Sequence, residues 1–531
     1  MSTTRRDFLR TAGAGAAGLA LAGGRGGAQA GQRPNLVFIF SDDHSLATIG
    51  PYRTWLQDFL RQHDLTPNLD RLAREGGVFE NSYCGNSLCG PSRATVLTGK
   101  HSHVNGFIDN RSRFDGSQWT VAKELQAAGY QTMVCGKWHL VSDPTGFDRW
   151  EILPGQGNYY NPDFIAPQGN LRRGGYVTDL IADRCLAWLK ERDASKPFFL
   201  MCHHKAPHRN WMPPERYVKL LADVTIPEPA NLFDDYEGRA TPARRQEMEI
   251  ARHMNLPSDL KVTPPLGSPE GANLKGEFGR MTPAQKTAWD AAYVPRNEAF
   301  RAARLEGREL TRWKYQAYMK DYLRCIKAVD DNVGKLLDGL RELGLDRNTV
   351  VIYCSDQGFY MGEHGWFDKR WMYEESLAMP FIIRWPGQVA PGTRFAPMIQ
   401  NIDYAPTFLE MAGRPAPADV QGRSFAPILR GQTPADWRRS IYYHYYEFPA
   451  EHQVARQCGV RTAQHKLIHY YQTDEWELFD LAKDPREMRS VYADPAYATV
   501  VAGLKRELER LRTDYKCPPH DQEPRMGGRR G

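Results

Sequence analysis

Two oxygen-bearing pairs, a set of separated cations and one cysteine are the residues of this chain whose types and spacing could do chemistry. Asp42-Asp43 follows the apolar run Asn35–Phe40, and Asp356-Gln357 follows a second apolar run, Thr349–Cys354. All four side chains offer oxygen, and no Cys or His is needed to complete the set. Hard oxygen ligands suit Ca²⁺, with Mg²⁺ as the variant, rather than zinc. Taken alone, the same residues would also serve as an N-cap pair and a turn acid. Lys137 and His139 follow a third run in G-K-W-H, His208 closes H-K-A-P-H, and Lys369 lies in F-D-K-R-W. With Arg93 they form a supply of cations and proton carriers suited to charge that develops on several oxygens at once. Each is unremarkable alone, since a lone Lys is usually solvated. The ordered set, after strand-like runs, points to a site. Cys89 opens C-G-P-S-R-A-T-V-L-T-G, where Pro91 suits a helix start. On its own it would pass for a buried structural thiol.

The run Cys89–Gly99 matches the sulfatase signature C-x-P-S-R-x-x-x-L-T-G at every fixed position. The chain resembles the type I, formylglycine-dependent sulfatases at ordered positions along almost its whole mature length. That resemblance implies an α/β fold, an alkaline-phosphatase-like α/β/α sandwich with a smaller C-terminal subdomain of antiparallel sheet plus helix. It implies that a formylglycine-generating enzyme oxidises Cys89 to an aldehyde. Its hydrate carries two hydroxyls on one carbon, one to attack sulfur and one to expel sulfate, which splits a hard step into two. The resemblance places the metal on Asp42, Asp43, Asp356, Gln357 and the modified Cys89, with Gln357 where many relatives have Asn or His. It gives Arg93 the nucleophile's alkoxide and gives Lys137 a bridge between nucleophile and sulfate. His139 would take the second hydroxyl's proton, and His208 and Lys369 would serve the leaving oxygen.

The segment D-Q-G-F-Y-M-G-E-H-G-W-F-D-K-R resembles that of bacterial carbohydrate sulfatases of the N-acetylglucosamine-6-sulfatase type. The implied activity is removal of an O-sulfate from a sulfated carbohydrate, a 6-O-sulfated N-acetylhexosamine foremost, by an exo-acting enzyme. Arylsulfatases and phosphonate monoester or phosphodiester hydrolases on the same fold are the alternatives. Asp368 and Arg370 flank Lys369 and could bond sugar hydroxyls. Trp366, Trp371 and Tyr373 offer stacking faces, while Tyr443, His444, Tyr446, Glu447 and Arg461 are candidates to close the pocket. His203 and His204 read as structural or supporting residues. Gln457-Cys458 stands before Gly459 where such relatives tend to carry a His, and this region could set sugar preference.

These residues need a scaffold that brings positions 42, 89, 137, 208, 356 and 369 together. The spacing predicts strands at Asn35–Phe40, Gln131–Cys135, Pro197–Cys202 and Thr349–Cys354, with helices over Pro67–Gly76, Val121–Gly129 and Asp321–Leu343. Alternating helices and apolar strands mean an α/β domain with a mainly parallel sheet, whose strand ends carry the ligand site. Residues 225–312, rich in Pro, Arg and Glu, read as a partly helical insertion near the substrate. Beyond them, Ile441–Glu447, Gly459–Thr462, Lys466–Tyr471 and Trp476–Leu481 read as a small antiparallel sheet, followed by a helix over Tyr497–Arg512.

The 531 residues fit one large domain plus a lesser one, set at 31–435 and 436–531. T-R-R-D-F-L-R, a Gly/Ala-rich stretch and Ala28-Gln29-Ala30 read as a twin-arginine signal over residues 1–30, so the product is expected in the periplasm or secreted. Removing Arg5, Arg6, Arg10, Arg25 and Asp7 with it lowers the formal charge from +6 to +3. That balance carries no nucleic-acid signature. A mean hydropathy of -0.59, without a long apolar run, gives no membrane anchor. Nine cysteines without C-x-x-C spacing argue against a zinc cluster or a dense disulfide framework.

Overall fold

The computed structural model describes residues 33–263 and 276–523, so the twin-arginine segment lies outside the described residues. Its centre is a ten-stranded sheet in the order 393–395, 77–79, 381–384, 349–355, 35–41, 198–203, 131–137, 149–153, 163–166, 169–172. The five strands from 349–355 to 149–153 run parallel. Antiparallel pairings at both flanks make the whole sheet mixed.

The parallel strands read as continuous apolar runs because both faces are covered. Along Asn35–Ser41, Leu36, Phe38 and Phe40 enter one core, and Val37 and Ile39 enter another on the opposite face. Helices Cys89–Thr98, Val121–Ala127 and Tyr404–Met411 close the first side. Helices Pro67–Glu75, Val177–Glu191 and Gly307–Glu342 close the second. The result is the expected α/β/α sandwich.

The long helix starts at Gly307, well before the expected Asp321. Its first half keeps helical spacing through Tyr315, Tyr318 and Tyr322, all buried, rather than through aliphatic residues. Of the insertion, Pro283–Ala303 is helical, with a capping box at Thr282 and Gln285. The insertion also meets the loop after Thr349–Ser355: Ile250 N–H bonds Gly365 O at 2.9 Å, and Phe367 N–H bonds Met248 O at 3.0 Å.

Register explains why distant residues meet. Ser41 pairs with Ser355, Phe40 with His203, and Gly136 with His203, so four parallel strands end level. The residues beyond these strand ends therefore emerge along one edge of the sheet. Gly136 has φ 106°, and a Cβ there would lie 1.9 Å from His203 O, so only glycine lets these two strands close before Lys137.

Strands Ser440–Tyr445, Gln457–Thr462, His465–Tyr470 and Glu475–Asp480 form an antiparallel sheet. Helix Ala498–Asp514 covers it through Leu504, Leu508 and Leu511. Among the described residues no helix is long and apolar enough to cross a membrane.

Candidate active site

Helix Cys89–Thr98 brings Cys89 to the level strand ends, and all ten of its residues are buried. Cys89 Sγ lies 3.2 Å from Lys369 Nζ, 3.9 Å from Gln357 Nε2 and 4.0 Å from Asp43 Oδ1. One turn on, Arg93 spans the acids: Nη2 is 2.9 Å from Asp356 Oδ2 and 3.6 Å from Asp42 Oδ1, while Nη1 donates to Lys137 O at 2.7 Å. Lys137 pairs with Asp42, and Lys369 Nζ lies 2.5 and 2.7 Å from the two Asp43 oxygens. His208 Nε2 is 3.8 Å from Asp43 Oδ2, and His208 Nδ1 lies 2.6 Å from Arg209 O. All the predicted catalytic and metal residues therefore share one pocket, apart from His139, which stands beside it with Gln156 Nε2 3.2 Å from its Nε2.

The acids are held by backbone. Asp43 has φ 67°, and its N–H donates to Asp356 Oδ1 at 3.0 Å. Tyr322, from the long helix, donates its hydroxyl to Asp43 O at 2.5 Å and accepts from Ser45 N–H at 2.8 Å. Burial raises the Asp43 carboxyl to about 6 and the Asp356 carboxyl to about 8, and the neighbouring Asp42 charge adds to both. Burial pushes Asp42 up as well, but Lys137 first, then His208 and Arg93, hold it well below the usual range. Burial, with Lys137 next, holds both His139 and His208 neutral near pH 7.

The donor set fits a hard cation. Asp42 Oδ1 and Gln357 Oε1 are buried oxygens without a hydrogen-bond partner among the described residues. Asp42, Asp43, Cys89 and His208 offer ligand atoms within 4.8 Å of one another. A buried amide oxygen and a buried carboxylate oxygen that no hydrogen bond satisfies are what Ca²⁺ or Mg²⁺ would take as ligands.

A cavity of about 1220 Å³ opens onto Cys89. Asp368, Lys369 and Arg370 line it, Asp368 with φ 77° and Arg370 with φ 90°. Asp368 pairs with Arg370, and His452 Nε2 lies 2.9 Å from Asp368 Oδ2. Tyr443 fixes this loop from below through its hydroxyl on Arg370 O at 2.7 Å. Of the other candidates to close the pocket, Glu447 lines it, whereas His444 and Tyr446 stack on each other and Arg461 pairs with Glu374. Trp366 and Trp371 are not sugar platforms: both are fully buried and stack 5.1 Å apart, and Tyr373 donates to Glu477 in the same core. His203 supports Lys137 O at 3.0 Å, and His204 lies by Cys202. The sequence reading missed His452, Arg209 and Gln156, which line the cavity from loops without a motif, and it missed Lys205 as well. Only Lys205, inside H-K-A-P-H, carried a signal.

Fold and site together define a hydrolase of anionic esters on an alkaline-phosphatase-like sandwich. The family described as Sulfatase matches residues 34–414, and the one described as N-sulphoglucosamine sulphohydrolase, C-terminal, matches 362–514. An N-acetylglucosamine-6-O-sulfatase of Bacteroides thetaiotaomicron is 47% identical over 93% of this chain and 88% of its own length. A solved structure in complex with its substrate D-glucosamine-2-N,6-O-disulfate superposes with a TM-score of 0.89 at 47% identity, covering 93% of this chain and 100% of that one. A phosphonate monoester hydrolase from Silicibacter pomeroyi shares the fold, with a TM-score of 0.66 at 22% identity over 90% of this chain and 95% of its own. The chain belongs to the sulfatase family, and it is a sulfuric ester hydrolase.

Tyr322→Phe tests how the acids are held. It leaves the Ser45 N–H and the Asp43 carbonyl without their partner, which should cost about 1–3 kcal/mol in chemical denaturation. Turnover of an aryl sulfate should fall roughly tenfold as Asp43 loses its set position. Unchanged turnover would show that the loop holds itself.

Proposed function

We propose that this protein removes a 6-O-sulfate from the terminal glucosamine of a sulfated glycan, the sugar being N-acetylated or N-sulfated. The observation that carries this reading is the loop Asp368–Arg370. It holds Lys369 Nζ 3.2 Å from Cys89 Sγ and turns Asp368, with His452, toward the same cavity. A charge-bearing centre and its two flanking hydroxyl readers, Asp368 and Arg370, thus lie on adjacent residues. The similarity to the N-acetylglucosamine-6-O-sulfatase supports the choice of sugar.

Cys89, oxidised to formylglycine by a maturation enzyme of the host, would supply two hydroxyls on one carbon, one to displace the alcohol and one to release sulfate. Asp42, Asp43, Asp356 and Gln357 would hold one Ca²⁺, whose charge would offset that of a sulfate oxygen and would make the attacking hydroxyl more acidic. The protein's own groups do the rest. Arg93 keeps Asp356 and Asp42 in place and sets its positive charge within reach of Cys89. Lys137 and Lys369 bring two further cations, so charge on the sulfate oxygens meets fixed partners. His208 has Nδ1 committed to Arg209 O, which leaves Nε2 for the leaving oxygen. A bound sulfate adds negative charge and raises the proton affinity of that nitrogen. His139 Nδ1 has no partner among the described residues and is the atom free to take a proton when sulfate leaves. The twin-arginine leader would carry this chemistry out of the cytoplasm.

Peptide mass analysis should find the aldehyde at Cys89 in active protein, and Cys89→Ala should remove turnover entirely. A fully active preparation carrying only the thiol would defeat the mechanism. Asp356→Ala should lower calcium content, measured by elemental mass spectrometry, and turnover together. Two zinc ions per chain, with no response to calcium, would overturn the oxygen-ligand reading. The substrate is tested with Asp368→Ala. Discrimination among sulfated monosaccharides should collapse at least tenfold, because a site built to bond a hydroxyl rejects the wrong epimer. Cleavage of a simple aryl sulfate should persist. Wild-type preference for aryl sulfates, or for a phosphonate ester, over every sugar would reject the proposed substrate.

A further inference from the structure

Lys205 is 3% exposed and lines the cavity. Buried lysines need an oxygen partner, because an unpaired ammonium away from water is costly. The other buried lysines have one: Lys137 takes Asp42, Lys369 takes Asp43, Lys261 takes Asp321, Lys466 takes Glu374 and Glu487, Lys100 takes Asp419 and Lys314 takes Ala251 O. Among the described residues the Lys205 ammonium has neither a hydrogen bond nor an ion pair. It rests on the Tyr159 ring, 4.6 Å from the centroid.

Its surroundings explain why no partner comes from the protein. The Glu277 carboxylate, its main source of attraction, is committed elsewhere, with Oε1 3.1 Å from Tyr159 N and 3.2 Å from Asn158 Nδ2. Burial lowers the Lys205 ammonium to about 8, so it is still mostly charged at pH 7. Its backbone is fixed, since Lys205 O accepts from His208 N–H at 3.0 Å and Tyr159 donates to His208 O at 2.5 Å. Lys205 is also distinct from the cations around Cys89. Lys137 and Lys369 touch Asp42 and Asp43, and Lys205 touches neither.

The cavity of about 1220 Å³ is several times larger than a sulfate and has room for substituents beyond the reacting one. Asp368, Arg370 and His452 line it, acid and base already paired. Lys205 contributes a charge still lacking its counterpart. We propose that Lys205 receives a second anionic substituent, one that is not cleaved, on the same sugar ring as the transferred sulfate. This rests on the sulfated-sugar reading of the site.

The test compares kcat/KM for D-glucosamine-2-N,6-O-disulfate and for N-acetylglucosamine 6-O-sulfate, which differ in the charge at the 2-amino group. Wild type should favour the disulfate by about 10- to 100-fold, the worth of a hydrogen bond to a charged group. In Lys205→Met the ratio should fall to about one, and Lys205→Arg should keep most of it. The ratio is the readout, so a loss of active protein cancels; Lys205→Gln serves should Lys205→Met yield no enzyme. A ratio unchanged by the substitution overturns the proposal, as does a wild type without preference. An equal loss on both sugars also overturns it, since Lys205 would then serve the transferred sulfate or the fold. If neither sugar is cleaved while an aryl sulfate is, the sugar reading falls and the proposal with it; if both are cleaved with no shift in ratio, the proposal alone falls.

Discussion

The structure depends on one electrostatic constraint: three carboxylates and three long cations are packed together where little water reaches. Asp42, Asp43 and Asp356 repel one another, and Arg93, Lys137 and Lys369 repel one another. Neither set could be buried without the other, because an unpaired buried charge costs several kcal/mol. The parallel sheet makes the arrangement possible. Its strands end level, so Asp42, Lys137 and Asp356 leave the apolar layer at the same height, and helix Cys89–Thr98 brings Arg93 in from one side.

The cavity side is built differently. The loop from Gly358 to Glu375 is held by the insertion through Met248 and Gly365, by the C-terminal sheet through Tyr443, and by the stacked core of Trp366 and Trp371. Asp368 and Arg370 keep left-handed backbone that few side chains adopt unaided. Support from three directions fixes them. The C-terminal subdomain is thus part of how the loop is shaped, although it supplies none of the charged centre.

How much of this was legible in the sequence depends on burial. Asn35–Ser41 and Thr349–Ser355 announced themselves because a strand covered on both faces must be apolar throughout. The flanking strands Arg149–Leu153 and Gly169–Arg172 did not, since they are partly or wholly exposed and carry Arg, Glu and Asn. The early start of the long helix was hidden because tyrosines, not aliphatics, marked its buried face. Asp42, Asp43, Asp356 and Gln357 were legible because they follow strands directly. His452 and Gln156 were not, because tertiary folding alone brings their loops to the cavity. Trp366 and Trp371 misled because aromatic residues near a site serve a core as readily as a sugar.

The burial of Cys89 sets a deadline. Its side chain is 1% exposed, roofed by residues from the far half of the chain. Any enzyme that oxidises this cysteine must reach it before strand Thr349–Ser355 docks against Asn35–Ser41. At ribosomal rates of about 5–20 residues per second, the 266 residues from Cys89 to Ser355 (355 − 89) take roughly 13 to 53 seconds to make. On the proposed oxidation of Cys89, maturation would be a race against the protein's own folding. A host that makes the chain faster than its oxidising enzyme can work would accumulate a well-folded, permanently inactive product.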